Sequence, residues 1–393
     1  MGQNITQGIG AGYPILQPPR IPDAAASAAP ASTDSAALEQ YIWRAVPSLQ
    51  TRNYTLPYNG TPSAQHTPTL KKGRKNRILL YNGCFNPPHR GHLAHLQHAF
   101  RHCGADINVV GALVLVAANH FIQWKYGRNS NDIRLDVKQR VDLWREGLRA
   151  AAENKNDDEN REGKGEGVNW CWVLPENDWP RVADVLERDF ANDGFDVEFV
   201  GLVGGDKVST RYVQHGSWGC RMTITTNISR PLDFYDNSGN TGGSTLKNLR
   251  NHTPWKLVSQ PSEEEEQQIR EKIQNDAFGE PAYGQILPRP VFMCKKLLSH
   301  NSNTEYTLRF VSAIPSERLD PNLSSTSLRA IITEARAQTR YNDVQAQITY
   351  LADRLRDVAL CPDLLAEYIA EKWEKEENAK NNAQLSRGRR RRS

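Results

Sequence analysis

Short apolar runs alternate with stretches of helical periodicity through most of the chain. Apolar residues spaced three and four positions apart predict helices over 137–148, 182–186 and 344–358. Continuous apolar runs predict buried strands at 77–82, 109–117, 170–174, 196–203, 221–226 and 306–313. This alternation predicts an α/β fold: a Rossmann-like, doubly wound parallel sheet with flanking helices and a C-terminal helical segment.

Changes in composition divide the chain. Residues 1–75, with an Ala/Ser/Pro-rich stretch from Asp23 to Ala37, are expected to form a disordered N-terminal extension. Residues 76–378 are expected to form the folded domain, and residues 379–393 a basic disordered tail containing five arginines. Polar, glycine-rich or acidic insertions, predicted as surface loops, occur at 154–167, 236–252 and 259–289.

Composition narrows the class of protein. The 393 residues, 38% hydrophobic and 24% charged, can bury a large core, and no apolar run approaches membrane-spanning length. Because the net charge of +4 comes from the arginine tail, neither a membrane nor a nucleic acid is an expected partner. Six cysteines without C-x-x-C spacing predict free thiols and a reducing compartment, the cytoplasm or the nucleus.

The segment Gly83–Leu93 follows an apolar run and opens a helical pattern, so a strand, a turn and a helix start share one short window. A helix N-terminus presents unpaired N–H groups to a phosphate. His89 and His92 on the first turn can add hydrogen bonds, and Gly91 permits close approach. A helix start with two surface histidines would have the same pattern, so phosphate binding and plain capping both remain open.

A second segment, Leu323–Arg329, also lies between a strand-like run and a helical pattern. Ser325 and Thr326 supply hydroxyl donors at the helix start, and the planar guanidinium of Arg329 suits phosphate oxygens. An ordinary Ser/Thr helix cap fits this segment equally well.

Together, His89-Arg90-Gly91-His92 and Ser324-Ser325-Thr326-Ser327-Leu328-Arg329 resemble the nucleotidyltransferase superfamily, which has an H-x-G-H turn after its first strand and an S-S-T-x-x-R turn near its end. Within it, residues 76–374 are similar to nicotinamide and nicotinate mononucleotide adenylyltransferases, in a divergent eukaryotic, fungal-like form. The further matches are a G-x-F-N-P-x-H start at Gly83–His89, Lys125 before Gly127, Gly204-Gly205-Asp206, Ile228-Ser229-Arg230-Pro231 and Cys361–Ile369.

The resemblance implies that a mononucleotide phosphate attacks the α-phosphorus of ATP and releases pyrophosphate, as in NAD biosynthesis. The expected catalytic residues are His89, His92 and Arg329. The expected ATP-binding residues are Gly83, Phe85, Gly91, Gly204, Asp206, Ser325 and Thr326, and the expected substrate-binding residues are Lys125, Trp172 and Arg230. Mg²⁺ would accompany ATP, and homo-oligomers are compatible with the family.

Two assignments have competing interpretations. Strand alternation would put Trp170 and Trp172 on one face, so core packing is at least as good an account of Trp172. His92, His95, His98 and His102 recur at helical spacing, but they lack accompanying acidic or thiolate ligands, so no protein metal site is expected.

The substrate also has alternatives. A cytidylyltransferase that uses CTP would keep both phosphate motifs, and pantetheine-phosphate chemistry is a weaker option. A third possibility belongs to another class: a nucleotide-binding or ATP-hydrolysing protein with a regulatory or protein quality-control role.

Overall fold

The computed structural model of the chain describes residues 34–46, 68–103, 105–127, 133–153, 170–236, 245–259, 289–297, 304–338 and 344–390. The strands in these ranges are β1 (Ser35–Ala37), β2 (Thr69–Lys71), β3 (Lys75–Gly83), β4 (Val109–Val116), β5 (Cys171–Pro175), β6 (Asp196–Leu202), β7 (Met222–Thr226), β8 (Tyr235–Asp236), β9 (Thr245–Leu246), β10 (Lys256–Ser259), β11 (Val291–Lys295) and β12 (Thr307–Val311). The α-helices are α1 (Leu38–Ala45), α2 (Arg90–His102), α3 (Asn119–Tyr126), α4 (Val137–Glu153), α5 (Trp179–Asn192), α6 (Ser325–Gln338), α7 (Val344–Leu355) and α8 (Pro362–Arg390).

Among the described residues, the main sheet has eight strands in the order β10-β11-β12-β7-β6-β3-β4-β5. The strands β12, β7, β6, β3, β4 and β5 run parallel. Strands β11 and β10 extend the sheet at one edge and run antiparallel to their neighbours. Every predicted strand is present. The Rossmann-like α/β fold is therefore confirmed, and the carboxyl ends of its parallel strands lie along one edge of the sheet.

Helices cover both faces of this sheet. Leu79 and Val114 pack on one face against Leu96 of α2 and Trp144 of α4. The side chains at the alternate positions of β3 and β4 point to the other face of the sheet, where they pack against α1 and α5. A separate apolar cluster joins α6, α7 and α8, which gives the predicted C-terminal helical segment its own core. No helix in the described part of the chain is long and apolar enough to cross a membrane.

The folded domain begins earlier than expected. Residues 34–46 and 68–75 lie inside the predicted disordered extension, yet Leu38 and Ile42 of α1 are fully buried in the core. The reason is the four-residue apolar spacing, which gives this short helix one face that covers the sheet. The low-complexity residues immediately before α1 make its apolar spacing difficult to recognise in the sequence. Residues 1–33 and 47–67 lie outside the described residues.

Two other predicted boundaries also change. Helix α8 continues to Arg390, so residues 379–390 are helical rather than a disordered tail, because Ala, Lys, Gln and Asn allow the helix to continue. Within the predicted loop 236–252, β8 pairs with β9 and Leu249 is buried. The insertion 154–167 and residues 260–288 lie outside the described ranges, while Arg289 is buried.

Helix α2 presents two buried histidines to the sheet. Nε2 of His95 donates to the Val203 carbonyl (3.1 Å), and its Nδ1 accepts from the Thr226 hydroxyl (2.9 Å). Nε2 of His98 donates to the Ser312 carbonyl (3.3 Å). Burial lowers the pKa of both side chains to about 4. Each is therefore a neutral part of the core.

Acidification should destabilise the protein through these two histidines. Between about pH 6.5 and 4 the unfolded chain binds protons that the folded chain does not, so the free energy of unfolding should fall by about 1.4 kcal/mol per pH unit per histidine. Urea unfolding between pH 7 and 5 measures this slope. His98→Gln should reduce this slope by about 1.4 kcal/mol per pH unit, the contribution of one proton. An unchanged slope would contradict the assignment of a neutral His98.

Candidate functional site

A cleft of about 390 Å³ lies at the carboxyl edge of the parallel sheet. It is lined by the residues that follow several strands, including Gly83 after β3, Ala117 after β4 and Gly204 after β6. The first turn of α6 completes the wall with Ser325 and Thr326. The two motif segments, which are far apart in sequence, therefore meet in one crevice.

The structure brings most of the predicted site residues to this cleft. Those that line it are Gly83, Phe85, His89, His92, Lys125, Gly204, Asp206, Arg230, Ser325, Thr326 and Arg329. Gly91 stands behind His89 in the first turn of α2, where a Cβ would come within 3.0 Å of the His89 ring. A side chain at this position would therefore require the His89 ring to shift by a few tenths of an ångström.

Trp172 is not part of the cleft. It lies in β5, is 4% exposed and packs in the core between the sheet and the helices α1 and α5. Trp170 packs on the other face, where its ring stacks on Phe100 at 3.9 Å. Strand β5 begins at Cys171, so strand alternation does not apply to Trp170. The prediction that Trp172 binds substrate is corrected: it is a core residue.

His92 is held as a neutral hydrogen-bond donor. The backbone N–H of His89 donates to Nδ1 of His92 (3.1 Å), so the proton of the neutral ring is on Nε2. Burial, followed by the charges of His89 and His95, lowers the pKa of His92 well below its usual value. His92 is not the surface histidine expected from the sequence, because the ring of Phe85 packs edge-on against it at 4.9 Å.

His89 carries an unpartnered polar atom at the cleft wall. The residue is 4% exposed, and its Nδ1 has no hydrogen-bond partner among the described residues. Burial, and then the charge of Arg230, lowers its pKa to about 3. Its ring stacks on that of His92 with a centroid distance of 3.6 Å. This nitrogen is inaccessible to solvent, and leaving a buried polar atom unpaired costs free energy.

Hydrogen bonds join the two motif segments directly. The Ser325 hydroxyl donates to the Pro87 carbonyl (2.8 Å), and Nη1 of Arg329 donates to the Asn86 carbonyl (2.9 Å). Arg329 also donates to the Thr326 hydroxyl (3.1 Å). These bonds hold the loop after β3 against the start of α6, so both helix N-termini border the same space.

The start of α6 is capped by its own side chains. The Ser324 hydroxyl accepts the Ser327 N–H (3.1 Å), and the Ser327 hydroxyl accepts the Ser324 N–H (3.0 Å). This reciprocal pair resembles a capping box and secures the first turn. The N–H groups of Ser325 and Thr326, which have no partner within the helix, remain at the cleft wall.

Two glycines after β6 make room for their neighbours. A Cβ at Gly204 would lie 2.7 Å from Oδ1 of Asp206, and one at Gly205 would lie 2.5 Å from Cδ2 of Leu232. The Asp206 side chain is 54% exposed, with Nζ of Lys207 at 3.8 Å. Gly204 therefore permits Asp206 to present a carboxylate to the cleft.

Trp218 and Glu176 are among the lining residues that were not predicted from the sequence. Trp218 is 38% exposed and stands on a short turn between Gly216 and Gly219, whose flanking glycines were the available signal. Glu176 is 7% exposed, and its carboxylate accepts hydrogen bonds from Nδ2 of Asn82 (3.1 Å) and the backbone N–H of Ala118 (3.2 Å). In the sequence it is indistinguishable from a surface acid before a helix.

The described residues contain no group of three or more His, Cys, Asp or Glu side chains that could hold a metal ion. His98 and His102 are neighbours, with ring centroids 4.8 Å apart, but no third ligand accompanies them among these residues. The binding of Mg²⁺ together with ATP stays a prediction.

Comparison with known proteins supports the chemical class. Residues 80–149 match the model of the cytidylyltransferase-like family. This range begins within β3, contains the His89–His92 turn and ends in α4. No curated protein matches the chain significantly. The match supports a nucleotidyltransferase activity in general, and it carries no choice between adenylyl and cytidylyl transfer.

Gly204→Ala tests whether Asp206 contributes to nucleotide binding. The added Cβ should displace the Asp206 carboxylate, so the affinity for ATP, measured by calorimetry, should fall about tenfold, as expected for loss of a charged hydrogen bond. Gly201→Ala is the matched control, because its Cβ would meet neighbours at 3.7–3.8 Å, ordinary contact distances. Equal affinities in the two variants would remove Asp206 from the binding site.

Proposed function

We propose that the protein is a nicotinamide/nicotinate mononucleotide adenylyltransferase, which transfers AMP from ATP to a pyridine mononucleotide with release of pyrophosphate in NAD biosynthesis. The observation that carries this proposal is the meeting of two helix N-termini, neutral His92 and Arg329 in one cleft. Helix N-termini and planar guanidinium groups are suited to phosphate oxygens.

The reaction needs positioning and charge stabilisation rather than a covalent protein intermediate. The mononucleotide phosphate attacks the α-phosphorus, and the bond to the bridging oxygen of pyrophosphate breaks. A neutral His92 keeps its Nε2–H at neutral pH and can donate it to an α-phosphate oxygen. First-turn N–H groups of α6 and the guanidinium of Arg329 would bind the β- and γ-phosphates. Magnesium would enter bound to ATP, as part of the substrate.

The remaining lining residues supply the features that an acceptor mononucleotide requires. Lys125 and Arg230 are exposed cations at the cleft, suited to the second phosphate. The exposed face of Trp218 suits a planar pyridine ring. On the ATP side of the cleft, Asp206 can accept hydrogen bonds from ribose hydroxyls. The cleft volume of about 390 Å³ is within the usual range for small-molecule sites, about 300–1,000 Å³.

Cytidylyl transfer from CTP is the second candidate, because the matched family is cytidylyltransferase-like. The phosphate-binding elements would serve both nucleotides equally. Trp218 favours an acceptor with a planar ring or a quaternary ammonium group over phosphopantetheine, which has neither. A regulatory protein that only binds or hydrolyses nucleotide has no need of a second cationic and aromatic subsite.

The compartment proposed for this reaction is the cytoplasm or the nucleus. All six cysteines are free, and four of them are buried. Free thiols are characteristic of proteins in reducing compartments.

A substrate matrix tests the proposed reaction. Purified protein with Mg²⁺ should release pyrophosphate from ATP, not CTP, and only when nicotinamide or nicotinate mononucleotide is present. Chromatography should show the corresponding dinucleotide. Release only with CTP and phosphocholine would establish cytidylyl transfer, and acceptor-independent hydrolysis would favour the regulatory role.

His92→Asn tests the catalytic donor. The variant should lose about 10²–10³-fold in kcat, the usual loss when one preorganised donor to a developing charge is removed, with a smaller change in the KM for ATP. His120→Asn, an exposed histidine on α3, is the control. If His92→Asn retains full kcat, the donor is elsewhere.

A further inference from the structure

Trp218 is positioned by its backbone more than by its ring. Among the described residues no aromatic ring packs against it, although it lines the cleft. Its φ is +56°, in the left-handed region that costs a bulky residue free energy. Gly216 and Gly219, with φ of +71° and +76°, flank it. Such a conformation persists only when neighbouring contacts hold the turn.

One member of a histidine pair lies directly before this turn in the chain. His215 precedes Gly216, and its side chain contacts that of His252. Nε2 of His215 lies 2.7 Å from Nε2 of His252, 37 positions away, and the rings stack with a centroid distance of 5.0 Å. Nδ1 of His252 lies 2.7 Å from the Arg250 carbonyl, so this nitrogen donates. In the neutral pair His215 Nε2–H therefore donates to His252 Nε2, and Nδ1 of His215 is left as the buried, unpartnered acceptor.

His252 is itself firmly anchored. Its backbone N–H donates to the Leu249 carbonyl (3.2 Å), and the Thr253 N–H donates to the Lys295 carbonyl (2.8 Å). The segment also pairs with Lys296 through a β-bridge. The histidine pair thus ties the turn that carries Trp218 to the antiparallel edge of the sheet.

Burial keeps the pair neutral, with a smaller contribution from neighbouring charge. Burial, followed by the charges of His252 and Lys296, lowers the pKa of His215 to about 4. Burial is also the main cause that lowers the pKa of His252. At neutral pH the pair therefore holds a single shared hydrogen bond without repulsion between two cations.

We propose that the His215–His252 hydrogen bond is a latch that positions Trp218 at the acceptor end of the cleft and thereby sets the affinity for the acceptor. Both histidines are positioning residues that act through Trp218. The identity of the acceptor, a pyridine mononucleotide, rests on the proposed function. Loss of the latch lowers the fraction of molecules with Trp218 in place, which raises the apparent dissociation constant in inverse proportion. His92 and Arg329 stand on other elements, so kcat is preserved.

Fluorine NMR of protein labelled with 5-fluorotryptophan tests the latch without any substrate. The chain has nine tryptophans, and Trp218→Phe assigns the signal of Trp218. His252→Ala and His215→Ala should each move or broaden that signal and leave the other eight unchanged. Thr253→Val is the matched control, since it removes a different hydrogen bond in the same segment, the one from the Lys295 N–H (3.0 Å). An unmoved Trp218 signal in both histidine variants, with folding shown by the other signals, overturns the latch.

Steady-state kinetics test whether the His215–His252 hydrogen bond affects the binding of the acceptor. His252→Ala should raise the KM for the mononucleotide about fivefold, the effect of losing one ordinary hydrogen bond, with kcat and the KM for ATP within twofold. His252→Gln, which can still accept a hydrogen bond, should recover part of the affinity. In a Trp218→Ala background His252→Ala should have no further effect. A full effect there overturns the proposal that the latch acts through Trp218. If no acceptor is turned over, the proposed function fails, while the fluorine signal still decides the latch.

Discussion

The site depends on the docking of α6 onto the loop after β3. Two hydrogen bonds make this contact, from the Ser325 hydroxyl to the Pro87 carbonyl and from Arg329 to the Asn86 carbonyl, and the second joins residues 243 positions apart. Parallel strands alone would bring together the segments that follow β3, β4, β5, β6 and β7. The docking adds a second helix N-terminus to that edge, and with it a second set of donors for phosphate oxygens.

The cleft contains two kinds of polar group: buried histidines that are neutral, and exposed side chains that are cationic. His89 and His92 are neutral because burial lowers the pKa of each, and His92 has its donor nitrogen selected by the backbone of His89. Lys125 and Arg230 are exposed and carry the positive charge. Phosphate-rich ligands would therefore be attracted by the exposed cations and oriented by neutral hydrogen-bond donors, whose state does not change around neutral pH.

The strands and both phosphate motifs could be predicted because their signals are local: apolar runs, helix starts and short hydroxyl or imidazole spacings. Helix α1 was missed because an eight-residue amphipathic segment next to an Ala/Ser/Pro-rich stretch has little periodicity to detect. The substrate role of Trp172 was implied by the resemblance, and the structure favours the competing interpretation, core packing. The prediction that Trp170 and Trp172 share one face was wrong, because β5 begins one residue after Trp170. Trp218 and the His215–His252 pair depend on tertiary contacts between aperiodic segments, which no local pattern encodes.

We expect both helix N-termini to hold one triphosphate, and a crystal structure with a non-hydrolysable ATP analogue and Mg²⁺ tests this expectation most directly. The α-phosphate should lie beside Nε2 of His92, and the terminal phosphates should lie at the first turn of α6, beside Arg329. A triphosphate bound away from either helix start, with the hydrogen bonds of Ser325 and Arg329 to the β3 loop unchanged, would contradict it.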